Sequence, residues 1–113
     1  MSAAAATEPV FAYGGLQRPE VQLDILGRRV AGEPDALPGF RLEWMDAADP
    51  TSASPARPVI RPTGDARDRV FGTVLPLTIA ELDAVDEYEL ALYRRISVQL
   101  AGGTRAWAYV GTA

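Results

Sequence analysis

The chain has 113 residues, of which 48% are apolar and 23% are charged, and its formal net charge is −4. This composition predicts one globular domain, and the acidic balance excludes a nucleic-acid binder because neutralising phosphates needs a basic surface. The chain contains no cysteine, histidine or lysine, which excludes disulfides, thiolate nucleophiles, Cys/His metal sites and lysine Schiff bases and leaves proton transfer near neutral pH chiefly to carboxylates.

The first segment, residues 1–8, is rich in alanine and is predicted to be a disordered tail before a single domain over residues 9–113. The tail lacks the basic start and long apolar stretch of a signal peptide. No apolar run in the chain approaches the length of a membrane span. We therefore expect a cytoplasmic protein without membrane contact.

A short buried strand is predicted for residues 9–15, where an apolar run leads into a Gly-Gly pair. A helix is predicted to follow, with Pro19 at its first position, Glu20 in its first turn and Gly27 as its C-cap. The first unit is thus strand, glycine turn and helix.

The next part of the chain has weaker signals. Residues 28–44 contain two short strand candidates around a Pro-Gly turn, and residues 45–58 are rich in Ala, Ser, Pro and Asp without periodicity. The second stretch is predicted to be a loop, either a functional cover or a flexible insertion.

The second half of the chain has clearer patterns. A short strand and polar turn are predicted for residues 58–68, then a strand over 69–78 in which Gly72 indicates a bulge or close packing. A helix over 78–90 begins with a capping-box pattern, Thr78 and Glu81.

The last elements are strands over residues 92–103 and 104–111, joined by a turn at Ala-Gly-Gly. Alternation places Trp107 and Tyr109 on one face of the final strand. The order of elements predicts an α+β fold: a small mixed sheet, curled like a barrel, with two or three short helices.

The glycine turn, Tyr13-Gly14-Gly15-Leu16, is the first candidate for chemistry. Successive backbone N–H groups without side chains above them can bind an anion, and a following helix N-terminus adds to that attraction. The alternative is a glycine turn that serves geometry alone.

The run Asp86-Glu87-Tyr88-Glu89 crowds three carboxylates at the negative end of the helix dipole. One carboxyl group with a raised pKa would suit proton transfer, whereas the alternative is a solvated helix end. Further along, Tyr93 and Arg95 share one face of a strand and Arg94 the other. One interpretation is that Arg94 or Arg95 pairs with a carboxylate of the acidic run. The alternative is that residues 93–95 form an ordinary edge-strand surface.

These stretches together resemble the γ-glutamylcyclotransferase-like (AIG2-like) family. Its members begin with a Tyr-Gly-[Ser/Thr/Gly]-Leu motif, here residues 13–16, followed by a segment similar to "LPGFRL". The strand "VFGTVLPLT", the helix end "VDEYEL", the "YRR" segment and the final "AWAYV" match further family patterns in order. The resemblance covers nearly the whole chain after residue 9.

The resemblance implies an enzyme that needs no metal or cofactor. The α-amine of a γ-glutamyl amine or amino acid attacks its own γ-carbonyl, and the reaction releases 5-oxoproline and a free amine. The resemblance also implies that Glu89 is the catalytic acid and base. Substrate-binding residues are implied at Tyr13, Gly14, Gly15, Leu16, Tyr93 and Tyr109.

The sequence departs from the family pattern at two positions: Gly15 stands where Ser or Thr is usual, and Leu90 replaces the usual glycine after Glu89. The identity of the γ-glutamyl substrate and the choice between monomer and homodimer stay open. Two alternatives are a non-catalytic domain that binds a small molecule or partner on the same scaffold, and an accessory protein acting on a carrier-bound intermediate. In a non-catalytic domain, Glu89 faces solvent or pairs with Arg94 or Arg95.

Overall fold

The structure, a computed structural model, describes residues 5–45 and 57–112. The strands in these residues are β1 (Glu8–Ala12), β2 (Glu33–Pro38), β3 (Phe40–Met45), β4 (Arg57–Pro62), β5 (Arg69–Leu77), β6 (Tyr93–Gln99) and β7 (Arg105–Gly111). The helices are α1 (Pro19–Leu26) and α2 (Ile79–Glu89), and a 3-10 turn (Gly15–Gln17) follows β1. None of these helices is long and apolar enough to cross a membrane.

Five strands form a mixed sheet in the order β2-β5-β1-β7-β6. The central strand β1 runs antiparallel to β5 and parallel to β7, so that Val10 lies between Leu75 and Trp107. Strands β3 and β4 form a separate antiparallel ribbon, with Phe40 opposite Pro62. The predicted α+β fold with a curled mixed sheet is confirmed.

The central sheet is covered on both faces, because side chains alternate along its strands. Val10 and Ala12 of β1 pack toward the helices, whereas Phe11 packs on the opposite face with Ile60 of the ribbon. In β7, Tyr109 belongs to the helix side and Ala108 to the ribbon side, as alternation predicts. Burial on both faces explains why β1 is apolar from Pro9 to Ala12.

Both helices have the predicted ends. In α1, Pro19 occupies the first turn, and the helix ends at Gly27, whose φ of 77° is a left-handed conformation that suits glycine. In α2, the Thr78 hydroxyl accepts a 3.1 Å hydrogen bond from the Glu81 amide, and Glu81 Oε1 accepts a 2.9 Å bond from the Thr78 amide. The predicted capping box is confirmed.

The structure extends three strands into segments predicted to lack regular structure. Strand β1 begins at Glu8, opposite Leu77, so the last residue of the predicted tail belongs to the sheet. Strand β3 ends at Met45, and β4 begins at Arg57, inside the predicted loop. The rest of that loop, 46–56, and residues 1–4 of the tail lie outside the described residues.

Gly39 marks the point where the chain changes sheets. Its φ is 81°, and it separates β2, which pairs with β5, from β3, which pairs with β4. The two strands around the Pro-Gly turn therefore do not pair with each other. Gly72 shows the predicted close packing, because a Cβ there would lie 2.5 Å from the carbonyl oxygen of Ala12.

Candidate active site

A cavity of about 370 Å³ lies where the end of β1, the end of α2 and the start of β6 meet. Its volume falls in the range of small-molecule sites. The cavity contains both features that the sequence analysis expects to act together, the glycine turn and the last glutamate of α2. Its lining includes every sequence-predicted site residue: Tyr13, Gly14, Gly15, Leu16, Glu89, Tyr93 and Tyr109.

The two glycines of the turn have different steric surroundings. A Cβ on Gly14 would lie 3.1 Å from Cγ of Pro58, the second residue of β4, which is a tight contact. A Cβ on Gly15 would meet only Nη2 of Arg18, at 3.8 Å. The close approach of backbone to Pro58 therefore explains glycine at position 14, whereas position 15 has room for a side chain.

The turn presents three neighbouring backbone donors. The amides of Gln17 and Arg18 donate to the carbonyl oxygens of Gly14 and Gly15, at 3.1 and 3.0 Å, which closes the 3-10 turn. The amides of Gly14, Gly15 and Leu16 have no hydrogen-bond acceptor among residues 5–45 and 57–112. Adjacent N–H groups at the wall of a cavity are able to bind a carboxylate or a developing oxyanion.

A buried glutamine that the sequence analysis missed supports this turn. Gln22 is 3% exposed. Its Nε2 donates a 2.9 Å hydrogen bond to the carbonyl oxygen of Leu16, and its Oε1 accepts a 2.8 Å bond from the amide of Val30. Gln22 shares a helix face with Ile25 and Leu26, which pack against the core. A polar residue on the apolar face of a helix is the sequence signal that indicates such a buried hydrogen-bonding role.

Glu89 is the last residue of α2 and is half-buried at the cavity. Burial raises the pKa of its carboxyl group to about 7, and the negative end of the helix dipole acts in the same direction. Among the described residues, its carboxylate takes part in no ion pair or side-chain hydrogen bond. The following Leu90 has φ −48° and ψ −39°, a right-handed conformation that does not require glycine.

Asp86, one helical turn before Glu89, is fully engaged. Its Oδ2 lies 2.9 Å from Nη1 of Arg95, and its Oδ1 accepts a 2.6 Å hydrogen bond from the hydroxyl of Tyr109. The Arg95 guanidinium also lies 4.3 Å from the centre of the Trp107 ring. Arg95 therefore pairs with Asp86 and leaves the Glu89 carboxylate without a cation in this part of the chain.

Three tyrosines form much of the cavity wall, and each hydroxyl is already bonded. The Tyr93 hydroxyl donates a 2.6 Å hydrogen bond to the carbonyl oxygen of Pro58. The Tyr13 hydroxyl donates to the Tyr109 carbonyl oxygen, and that of Tyr109 to Asp86. Burial raises the pKa of all three phenols, so they remain neutral near pH 7 and shape the cavity.

The cavity also contains residues that the sequence analysis did not single out: Arg57, Pro58, Tyr88, Ala91 and Leu92. Tyr88, Ala91 and Leu92 are chain neighbours of Glu89. Arg57 and Pro58 come from β4, which sequence patterns placed in or next to a loop, and only the packing of the ribbon brings them here. No group of three acidic side chains suited to a metal ion occurs in the described ranges.

A family model described as "Gamma-glutamyl cyclotransferase, AIG2-like" matches residues 10–113 of this chain. No curated protein sequence matches the chain significantly.

Solved structures share the fold. A protein from Arabidopsis thaliana solved in solution superposes with a TM-score of 0.74 at 24% identity, over 98% of this chain and 66% of its own. A protein named gamma-glutamyl cyclotransferase gives 0.75 at 22% identity, over 93% and 66%. An AIG2-like protein from Mus musculus gives 0.66 at 19% identity, over 98% and 79%. The chain thus spans slightly less than two thirds of the length of the first two.

Proposed function

The chain belongs to the gamma-glutamyl cyclotransferase, AIG2-like family, and from this premise we propose that it cyclises the γ-glutamyl group of a small amide. The α-amine of the substrate attacks its own γ-carbonyl carbon, and the bond to the departing amine breaks. The products are 5-oxoproline and a free amine. The observation that carries the proposal is that one cavity is lined both by Glu89 and by residues 14–16, whose amides have no acceptor among the described residues.

The cavity itself supplies proximity. The nucleophile and the carbonyl belong to the same substrate, so the enzyme has only to hold them in the geometry of a five-membered ring. This chemistry needs no Ser, Cys or His nucleophile, and the chain contains neither Cys nor His. Walls made of Tyr13, Tyr93 and Tyr109 restrict the conformations of a bound γ-glutamyl group.

Glu89 moves the proton in this mechanism. The attacking amine gives up one proton as the new C–N bond forms, and the departing nitrogen must gain one as the old C–N bond breaks. The pKa of the Glu89 carboxyl group, about 7, is close to that of an α-amine, about 8. The group therefore accepts and returns a proton at low cost. Arg95 pairs with Asp86, so the Glu89 carboxylate has no ion-pair partner among the described residues and is available for proton transfer.

The amides of Gly14, Gly15 and Leu16 supply the anion site. Negative charge develops on the γ-carbonyl oxygen as the amine attacks, and the substrate α-carboxylate is negative throughout. Fixed N–H donors stabilise such charge without reorganisation during the reaction. They need no side chain at position 15, which accounts for the absence of the Ser or Thr hydroxyl there.

The test is 5-oxoproline release from a panel of γ-glutamyl amines and γ-glutamyl amino acids. Glu89→Gln should lower kcat by about 100- to 10,000-fold, the range expected when a general acid–base is lost, with the fold retained. Glu87→Gln is the matched control, since Glu87 is an exposed carboxylate two residues earlier in α2, and its activity should equal that of the wild type. Equal turnover by wild type and Glu89→Gln contradicts the mechanism. Ligand binding without any 5-oxoproline release would instead identify a non-catalytic binding domain on this scaffold.

A further inference from the structure

Gln22 connects the core of the protein to the glycine turn of the cavity. It is the only buried residue with a charged or amide side chain among residues 5–45 and 57–112. Both ends of its amide group are bonded: Nε2 donates to the carbonyl oxygen of Leu16 at 2.9 Å, and Oε1 accepts from the amide of Val30 at 2.8 Å. An amide group in a core is costly unless it is bonded in this way, so its presence there calls for a purpose.

Two peptide units in series lead from Gln22 to the amide of Gly15. In the first unit, the Leu16 carbonyl accepts from Gln22, and the Gln17 N–H donates to the Gly14 carbonyl oxygen at 3.1 Å. The second unit joins Gly14 to Gly15, and its N–H has no acceptor among the described residues. No peptide bond in this part of the chain is cis, so the carbonyl and N–H of each unit point in opposite directions. The Gly15 N–H is therefore the free end of a hydrogen-bonded row that begins at Gln22.

This row has two physical effects on the Gly15 amide. Each accepted hydrogen bond restrains the plane of a peptide unit, so the direction of the Gly15 N–H depends on Gln22. Each accepted bond also draws electron density toward a carbonyl oxygen, which makes the N–H of the same unit a stronger donor. The amide groups follow one another head to tail, so the positive end of their combined dipole is at Gly15.

Other contacts also hold the turn, but they lie at the protein surface. The Gln17 side chain donates a 3.3 Å hydrogen bond to the Gly14 carbonyl oxygen, and the Thr73 hydroxyl donates a 2.9 Å bond to Gln17 Oε1. Both bonds are solvent-exposed, so water competes for their donors and acceptors and their net contribution is small. The bond from Gln22 to Leu16 is buried and has no such competitor.

We propose that Gln22 is a positioning residue for the anion site, because its buried amide sets the direction and the donor strength of the Gly15 N–H through two peptide units. This inference rests on the proposed function, which supplies the anion. Gln22 does not line the cavity, so in this scheme it acts without touching the substrate.

Gln22→Met tests the inference, because methionine has a similar length and volume but cannot donate to Leu16. We expect kcat/KM for 5-oxoproline release to fall by about 10- to 100-fold, the effect of a misplaced catalytic group. The pH profile should keep its shape, since Glu89 is untouched. In a ¹H–¹⁵N NMR spectrum, the Gly15 amide resonance should shift, whereas the resonances of the ribbon formed by β3 and β4 should not.

Gln22→Glu is the conservative variant. At about pH 6, a buried carboxyl group is protonated because burial raises its pKa, so it donates to Leu16 and accepts from Val30 as the glutamine does. Its kcat/KM relative to the wild type should be close to one at about pH 6 and should fall toward about pH 9, where the group ionises and loses its donor.

Gln99→Met is the matched control. Gln99 also donates to a carbonyl oxygen in a glycine turn, that of Gly103 at 2.7 Å, but it is exposed and outside the cavity. The control should have wild-type kcat/KM and an unchanged Gly15 resonance.

Thermal unfolding shows whether each variant is folded. A folded Gln22→Met with wild-type kcat/KM overturns the inference, whatever its Gly15 resonance does. Shifted resonances throughout the β3–β4 ribbon also overturn it, since they show a general loss of structure. If Gln22→Met does not fold, the pH series of Gln22→Glu decides, and a constant ratio to the wild type from about pH 6 to about pH 9 overturns the inference.

Titration with 5-oxoproline, followed at the Gly15 amide, separates this inference from the proposed function. If no substrate is turned over but 5-oxoproline shifts the Gly15 resonance in the wild type and not in Gln22→Met, the role of Gln22 stands and the cyclotransferase proposal fails. If turnover depends on Glu89 and not on Gln22, the reverse holds. A wild type with neither turnover nor a Gly15 response overturns both.

Discussion

The hydroxyl of Tyr109 donates a 2.6 Å hydrogen bond to the carboxylate of Asp86. The same carboxylate forms an ion pair with Arg95, so Asp86 joins the cavity wall to β6. Glu89, one helical turn later, has neither kind of partner among the described residues. Two carboxyl groups of one acidic run thus have opposite surroundings, which supports a structural role for Asp86 and fits the proton-transfer role proposed for Glu89.

The structural role of Asp86 is testable by an isosteric change. Asp86→Asn removes the negative charge that faces Arg95 and weakens the hydrogen bond from Tyr109. The free energy of unfolding should therefore fall by about 2 kcal/mol. This loss is smaller than for a fully buried ion pair, because the Asp86 and Arg95 side chains are partly exposed. Urea unfolding measures the change. Asp83→Asn, at an exposed position of the same helix, should leave stability unaltered, and equal stability of the two variants would contradict this role.

The pH dependence of the reaction follows from the pKa of Glu89. If Glu89 is the base, kcat/KM should rise as pH increases through about 7, where the carboxyl group loses its proton. It should continue to rise through about 8, the pKa of an α-amine, because only the neutral amine has the lone pair that attacks the carbonyl. The expected profile rises through both values and then levels off, and 5-oxoproline release measured from about pH 5 to about pH 10 spans both groups. A rising limb near the ordinary glutamate value of 4.5 would show that Glu89 is not the group that titrates.

The raised pKa of Glu89 also predicts that the stability of the protein depends on pH. The folded-state pKa of Glu89, about 7, is above its ordinary value of 4.5, so the folded protein binds this proton more tightly than the unfolded chain does. Its stabilising contribution is complete below pH 4.5 and is lost as pH rises through 7. Relative to Glu89→Gln, the wild type should lose on the order of 1–2 kcal/mol across this window, a value reduced to allow for partial solvent exposure.

Unfolding of both proteins by urea at pH 4.5 and pH 8 measures this difference, with Glu87→Gln as the control for an exposed carboxyl group. If the free energies of unfolding of the wild type and Glu89→Gln change in parallel with pH, the raised pKa of Glu89 is refuted. That result would not contradict the fold.

The two glycines of the turn should respond differently to substitution. Gly14→Ala places a Cβ 3.1 Å from Cγ of Pro58, so β4 must shift by a few tenths of an ångström, and we expect weaker substrate binding and a stability loss of about 1 kcal/mol. Gly15→Ala meets only the flexible Arg18 side chain and should be tolerated. Thermal unfolding and KM for the preferred substrate measure both effects. A larger loss at position 15 than at position 14 would contradict this account of the turn.

Local sequence was sufficient for much of the fold. Several features depend only on neighbours a few residues away and can be recognised without the tertiary structure. They are the capping box of Thr78 and Glu81, the C-cap at Gly27 and the alternation in β7. The motif that begins at Tyr13 and the segment that ends at Glu89 were likewise visible, because their residue types and order resemble those of a family.

Only the tertiary structure determined how these pieces act together. Whether Asp86 or Glu89 pairs with Arg95, how far burial raises the pKa of Glu89, and whether Gln22 and Arg57 reach the site all depend on contacts between residues far apart in the chain. Gln22 looked like one more helical residue, and Arg57 stood at the edge of a predicted loop. Secondary-structure propensity and residue spacing depend on neighbours a few positions away in the sequence. The desolvation and charge pairing of a side chain depend instead on the residues that the fold places within a few ångströms of it.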